Sequence, residues 1–281
     1  MLAVHTVQQP SYRLRIEYDE EPLNPRVDYD NFGHMACWHS RYNLGDQHDF
    51  GEPVELLKQM IRDTLSADEV IGYVKKANLS GLRLIYNRPE REWQLQDEYN
   101  GQWFTEYSFP PKMLKGSDMV KECILELLPA NSLKELANRQ NVMLPLYLYD
   151  HSGITMSCDY AYLYNDRWDA GQVGWIYASY EEIEKEYGAV NQEALEEAKN
   201  LLRGEVQIYD HYLCGECYGY IIEENGKETD SLWGFFGDLR DVLEDMKSNA
   251  AEEHQHLFDH VDYCVMEYSE NAESDSEDLE L

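Results

Sequence analysis

Asp150-His151-Ser152-Gly153 sets an acid, a base and a hydroxyl side by side, and Asp169, Asp210 and His211 follow further along the chain. Together, Asp150, His151, Asp169, Asp210 and His211 are the residue types of a metal-dependent hydrolase with a carboxylate–histidine site. A nucleophilic triad is a poorer reading of the same residues. Triad members converge from separate segments, neighbours on a chain point apart, and no Gly-x-Ser-x-Gly turn is present. Asp150–Gly153 reads instead as the turn that ends a buried strand, and nothing in the sequence fixes its distance to Asp169, Asp210 or His211.

Cys214-Gly-Glu-Cys217 has the spacing of half a zinc knuckle, with Gly215 permitting the turn. A tetrahedral site needs a second pair, and the candidates are His34, Cys37 and His39, or His211. On a strand, alternation places His34 and His39 on opposite faces, which argues against a shared metal. Two reduced structural cysteines are the simpler reading, with no metal and no cofactor bound. A segment with two glycines, Trp168–Gly174, matches neither a dinucleotide fingerprint nor a P-loop. No complete catalytic motif is present, and a non-enzymatic role is favoured.

The remaining candidate is the carboxylate array. Glu181, Glu182, Glu184, Glu186, Glu193, Glu196 and Glu197 are followed by Asp238, Asp241, Glu244 and Asp245. Glu193, Glu196 and Glu197 stand three and four residues apart and so share one helix face. Ala194, Leu195, Ala198, Leu201 and Leu202 supply an apolar stripe for the other side. Duplex DNA carries one charge per about 1.7 Å of axis, and helices with carboxylates on successive turns approach that density. Glu181, Glu182, Glu193, Glu196, Glu197, Asp241, Glu244 and Asp245 are therefore the candidate contacts to a basic partner. A solvated acidic surface that aids solubility is the competing reading.

Charge along the chain points the same way. Residues 1–150 hold 23 acidic and 16 basic side chains, a balance of -7. Residues 151–281 hold 32 and 7, a balance of -25, which brings the chain to -32. Such a field repels nucleic acid and anionic membranes and attracts basic protein surfaces. Apolar residues at 43% and 22 tyrosines are enough to build a core, so the acidity is not a mark of general disorder. No secretory signal and no bilayer-spanning run is evident. Six scattered cysteines without a signal suit a reducing compartment, and a cytoplasmic location is expected. Composition divides the chain into a near-neutral region (1–140), a strongly acidic one (141–249) and an acidic tail (250–281). Seven acidic residues and no basic one in Glu267–Leu281 predict a disordered end.

The elements that must position these residues read as α+β, with mixed or antiparallel sheets and packed helices. Alternation predicts strands at Tyr12–Tyr18, Gly81–Tyr86, Leu144–Tyr149, Gly174–Ala178 and Tyr218–Glu224. A hairpin turn is expected at Asn100-Gly101, and Glu224-Asn225-Gly226 reads as a turn leading to Glu228–Leu232. Helical periodicity and capping residues predict helices at Glu52–Leu65, from Ser66 to Ala77, Ser117–Leu128, Ser132–Asn138, from Ser179 to Tyr187 and Gly237–Asn249. Another begins at Asn191 and runs to Gly204, with a pattern that can extend to Leu213. Tyr160–Tyr164 reads as irregular.

Two stretches carry a resemblance. One is Asn31–Asp46, Asn-Phe-Gly-His-Met-Ala-Cys-Trp-His-Ser-Arg-Tyr-Asn-Leu-Gly-Asp. The other runs from Leu144-Pro-Leu-Tyr-Leu-Tyr-Asp-His-Ser-Gly-Ile-Thr-Met156 through Trp168–Tyr177 to Tyr209-Asp-His-Tyr-Leu213 and Tyr218-Gly-Tyr220. Over roughly residues 10–245 the chain resembles a family, without assigned activity, found in bacteriophages and other mobile genetic elements. The resemblance implies such an origin in a bacterial host. With the acidity it suggests a counter-defence role: an anti-restriction or CRISPR inhibitor that works as a DNA mimic on a basic, nucleic-acid-binding host protein. Direct binding to nucleic acid or membrane is not expected, and the alternative to inhibition is an adaptor role. The oligomeric state is open.

Overall fold

The computed structural model describes residues 3–8, 11–77, 79–151, 153–158 and 170–261. In chain order the elements are β1 (Ala3–Gln8), β2 (Tyr12–Tyr18), β3 (His34–Cys37), α1 (Pro53–Thr64), α2 (Ala67–Lys76), β4 (Leu82–Asn87), β5 (Glu92–Tyr99) and β6 (Gln102–Phe109). They continue with α3 (Asp118–Leu127), α4 (Ala130–Ala137), β7 (Asn141–Asp150), β8 (Ile154–Ser157), β9 (Ala170–Ser179), α5 (Tyr180–Tyr187), α6 (Gln192–Cys214), β10 (Cys217–Glu224), β11 (Lys227–Phe236) and α7 (Leu239–Asn249). The fold is α+β, and every strand pairing with a resolved register is antiparallel. Among the described residues, no helix is long and apolar enough to cross a membrane.

The chain forms two compact units built from interleaved segments. The first takes Met1–Asp30, Tyr149–Ser157 and Val206–Leu281; the second takes Asn31–Leu148 and Cys158–Glu205. The charge-based regions 1–140, 141–249 and 250–281 follow composition along the chain, whereas these units follow contacts. The disordered end expected at Glu267–Leu281 and the irregular reading of Tyr160–Tyr164 lie outside the described residues, whereas Leu257 and Phe258 of the acidic 250–281 region pack into the core of the first unit.

In the first unit a sheet runs β1-β2-β10-β11. Alternation sends Leu14 and Ile16 of β2, with Tyr218, Tyr220 and Ile222 of β10, to one face. There they meet Leu239, Val242, Leu243 and Met246, the inward side of α7, and Leu257 and Phe258 beyond it. Asn225 (φ 51°) and Gly226 (φ 79°) make the turn between β10 and β11. Both need the left-handed region, as a two-residue hairpin requires.

In the second unit β3 pairs with β9 and β7 lies beside β9, while β4, β5 and β6 form a separate meander. Asn100 (φ 52°) and Gly101 (φ 77°) make its tight turn as their types predict. The core joins α1, α2, α3 and α4 to the meander through Leu56, Ile61, Val70, Ile71, Leu95, Ile124 and Leu136. Helix starts are chemically explicit. At α2, Ser66 Oγ accepts from Glu69 N–H at 3.3 Å, and Glu69 Oε2 accepts from Ser66 N–H at 2.8 Å, a reciprocal capping box. At α3, Ser117 holds the cap position, but its hydroxyl makes no cap bond.

Candidate functional site

Helix α5 begins in a second capping box. Ser179 Oγ accepts from Glu182 N–H at 3.2 Å, while Glu182 Oε2 accepts from Ser179 N–H and Oγ–H, each at 2.7 Å. Gly188, at φ 77°, ends the helix in the left-handed conformation. Only Ile183 of α5 is buried, and Glu181, Glu184 and Glu186 are exposed. Helix α6 starts with Asn191 Oδ1 accepting from Ala194 N–H at 2.9 Å. Within the second unit it buries Ala194, Ala198 and Leu202, one every four residues. Glu193, Glu196 and Glu197 are exposed, as their shared helix face requires.

The expected apolar stripe is narrower than its residue types suggest. Leu201 is 39% exposed, because a helix buried along the single line of Ala194, Ala198 and Leu202 leaves the flanking leucine outside. Glu196 pairs with Lys199 at 2.6 Å, which lowers its pKa. Glu205 turns inward and accepts from the backbone N–H groups of Phe32 at 2.6 Å and Gly33 at 3.2 Å.

Glu182 differs from its acidic neighbours. Its Oε1 lies 2.6 Å from His34 Nε2. His34 stands on β3 opposite Tyr177 of β9, with ring centroids 5.3 Å apart. The His34 hydrogen bond, helped by the Ser179 bonds and opposed by burial, holds the Glu182 carboxyl down at about 2. A depressed carboxyl contributes stability above its unfolded pKa, near 4.3, and that contribution fades as pH falls through the folded value. A Glu182→Gln variant keeps an acceptor for the cap but loses the charge. It should melt slightly lower at neutral pH, by no more than about 1 kcal/mol because the pair is over a third exposed. The difference should shrink between about pH 4.3 and 2. Melting curves across that range test it, and a gap that persists unchanged at pH 2 would refute the assignment.

His34 and Glu182 line a cleft of about 460 Å³, together with Asp63 and Gln59 from α1 and Tyr177, Tyr180 and Glu181 from the β9–α5 corner. No lysine or arginine is among its described lining residues. Burial first, then Glu182 and Asp46, push the Tyr177 hydroxyl up to about 12, so it stays a neutral donor. A second cleft of about 480 Å³ shares His34, Phe50, Gln59 and Tyr177 and adds Asp46, His48 and Asp49. His48 Nε2 lies 3.0 Å from the Cys37 carbonyl, and its ring packs beside Trp38 and Phe50. His39 instead stacks on Tyr42. The His34, Cys37 and His39 cluster is thus shared out among separate contacts.

Comparison with protein-family models, curated proteins and solved structures returns no match.

The other sequence candidates lie in the first unit, where described. Asp241, Glu244 and Asp245 are exposed on α7, with Val242, Leu243 and Met246 turned inward. Asp210 accepts from Met156 N–H at 2.6 Å, and burial raises its pKa. His211 Nδ1 is 2.6 Å from Glu216 Oε2. Asp150 and His151 sit where β7 ends, and Asp169 lies outside the described residues. Cys214 ends α6 with Sγ 3.6 Å from the Ile154 carbonyl and 3.8 Å from Asp210. Cys217 is buried at the start of β10, 3.9 Å from Asp19.

Burial, then the Asp210 and Asp19 carboxylates, push the two thiols up to about 12. Protonated thiols are poor nucleophiles. Among the described residues, no group of three or more His, Cys, Asp or Glu side chains is placed to hold a metal.

The cleft could not be read from the sequence. Asp63 looks like one more polar residue at the end of an amphipathic helix, and Glu182 like one more member of an acidic run. The one available signal was the Ser179-x-x-Glu182 capping box, which ties Glu182 to the corner where the cleft forms.

Proposed function

We propose that this protein is a non-enzymatic, acidic inhibitor of a nucleic-acid-handling host defence protein, such as a restriction or CRISPR-type nuclease, and that it occupies the partner's basic surface in place of DNA. One observation carries the reading. On α5 and the first half of α6, Glu181, Glu184, Glu186, Glu193 and Glu197 are all exposed, while the buried positions are apolar. These carboxylates serve no core contact, and a basic groove is the surface they complement. The resemblance to mobile-element proteins supports a defence protein as the target.

Pull-down from bacterial lysate with mass spectrometry identifies the partner, and a triple Glu193→Lys, Glu196→Lys, Glu197→Lys variant tests the surface. The wild type should capture a basic nucleic-acid-binding protein in a salt-sensitive manner, since screening limits exposed charges to about 8 Å at physiological salt. The variant should melt like the wild type and bind at least about tenfold more weakly. Unchanged affinity and salt dependence in the variant, or a direct gel shift of DNA by the wild type, would sink the proposal.

A further inference from the structure

We infer that the open edge of β6 pairs with the same edge of a second copy of this chain, joining two three-stranded meanders into one antiparallel sheet about a two-fold axis at Phe104. The inference uses none of the acidic residues of α5 and α6 and stands independently of the reading above. β6 is hydrogen-bonded to β5, and among the described residues nothing pairs with its other edge. Five of its eight residues are exposed: Gln102, Phe104, Thr105, Glu106 and Ser108. An uncovered edge is a row of unpaired donors and acceptors, and folded proteins guard it with charged side chains, lysine above all, or with proline. β11, which ends the other sheet, carries Lys227, Glu228 and Asp230. β6 reads Gln-Trp-Phe-Thr-Glu-Tyr-Ser-Phe, with Glu106 as its one charge.

The register follows from the hairpin. Its two-residue turn closes on Tyr99 and Gln102, which exchange hydrogen bonds, and alternation makes Asp97 and Phe104 the next such pair. The backbone N–H and C=O of Trp103 and Thr105 therefore point to the open edge. Glu98, opposite Trp103, fits this alternation, because its N–H donates away from β6 to the Gly81 carbonyl at 2.9 Å. Both presenting residues are held in place. The Arg83 guanidinium lies 4.0 Å from the Trp103 ring centroid, and Gln96 Nε2 donates to Thr105 Oγ1 at 3.0 Å, so the edge is ordered before it pairs.

With the two-fold axis at Phe104, Trp103 of each copy exchanges hydrogen bonds with Thr105 of the other. The two Phe104 side chains, each 45% exposed in the single chain, then meet as a non-hydrogen-bonded pair, where side chains approach most closely. Glu106 falls opposite Gln102 and not opposite a second carboxylate. The register shift between Leu95 and Gln96 leaves Glu106 as the extra residue on β6, and such a bulge ends regular pairing there.

Charge selects the same place. Two chains at -32 repel each other, but exposed charges reach only about 8 Å at physiological salt, so the balance at the contact decides. Residues 75–121, the meander with its flanking helical turns, hold 8 basic and 6 acidic side chains, a balance of +2. With -32 for the whole chain, the remainder carries -34. Copies that meet through the meander avoid the repulsion that any other pairing of surfaces would bring.

Sedimentation of the full chain between about 1 and 200 µM should show a reversible monomer–dimer equilibrium. Hydrogen exchange of the wild type should slow at residues 102–106 as concentration rises. A Phe104→Lys variant sets two ammonium groups against each other on the axis. It should melt like the wild type, since the side chain is exposed, and raise the dimer dissociation constant at least about tenfold. Leu232→Lys, at an equally exposed position on β11, should leave the dimer intact. A chain that stays monomeric throughout, a dimer that forms without added protection of residues 102–106, or one weakened equally by Leu232→Lys and Phe104→Lys would overturn the pairing. The exchange measurement needs the wild type alone, so it decides the matter even if Phe104→Lys fails to fold.

Discussion

A Lys121→Met variant should lose about 2–3 kcal/mol of stability, the cost of leaving buried acceptors without their charged donor. Lys121 belongs to α3 yet is only 5% exposed. Its Nζ donates to the Arg62 carbonyl at 3.0 Å and the Leu65 carbonyl at 2.7 Å. Those carbonyls lie at the C-terminal end of α1, where backbone acceptors are left over and the helix dipole is negative. One buried ammonium therefore closes α1 and is itself satisfied by it. Methionine keeps the apolar stem and removes the charge, so the loss reports the ammonium and not a cavity. In a unit of this size the change corresponds to a fall in melting temperature of roughly 5–10 °C. Thermal and urea unfolding measure it. A melting temperature within a degree of the wild type would show that other donors serve these carbonyls.

A Gly174→Ala variant should be at least as damaging, at about 3 kcal/mol or more. Gly174 sits on β9 opposite Cys37 of β3. A Cβ there would stand 2.0 Å from the Ala36 carbonyl oxygen and 3.0 Å from Cys37 Cα. Both are backbone atoms, so the ladder itself must move. Because β3 carries His34 to Tyr177 and Glu182, the same shift should also disorganise the cleft. Gly171→Ala on the same strand is the control. Nothing lies within 4 Å of its would-be Cβ, and the change should stay within about 0.5 kcal/mol. If Gly174→Ala melts like Gly171→Ala, the close approach of β3 to β9 is wrong.

What the sequence determined by itself was most of what depends on near neighbours, the unmade Ser117 cap bond excepted. The capping boxes at Ser66–Glu69 and Ser179–Glu182 involve residues three apart, and both form. The Asn-Gly turns need only their own φ values. The amphipathic helices α1 and α7 bury the residues their period selects, and the α+β class follows from counting such elements. The placement of carboxylates along the chain is likewise a property of sequence, and with it the exposed faces of α5 and α6.

Tertiary structure decided what depends on distant segments. β3 is four residues of mixed character, His34–Cys37, and exists because β9 supplies its hydrogen-bond partners. Lys121 looks like a surface lysine until α1 is packed against α3. Glu182 reads as part of an acidic surface, but His34, 148 residues away, makes it half of a fixed pair. Asp63 and Glu181 become walls of one cleft only when α1 and the start of α5 are brought together. The two compact units, assembled from interleaved segments, have no signature in composition, because contacts between residues far apart in the chain leave no periodicity to read.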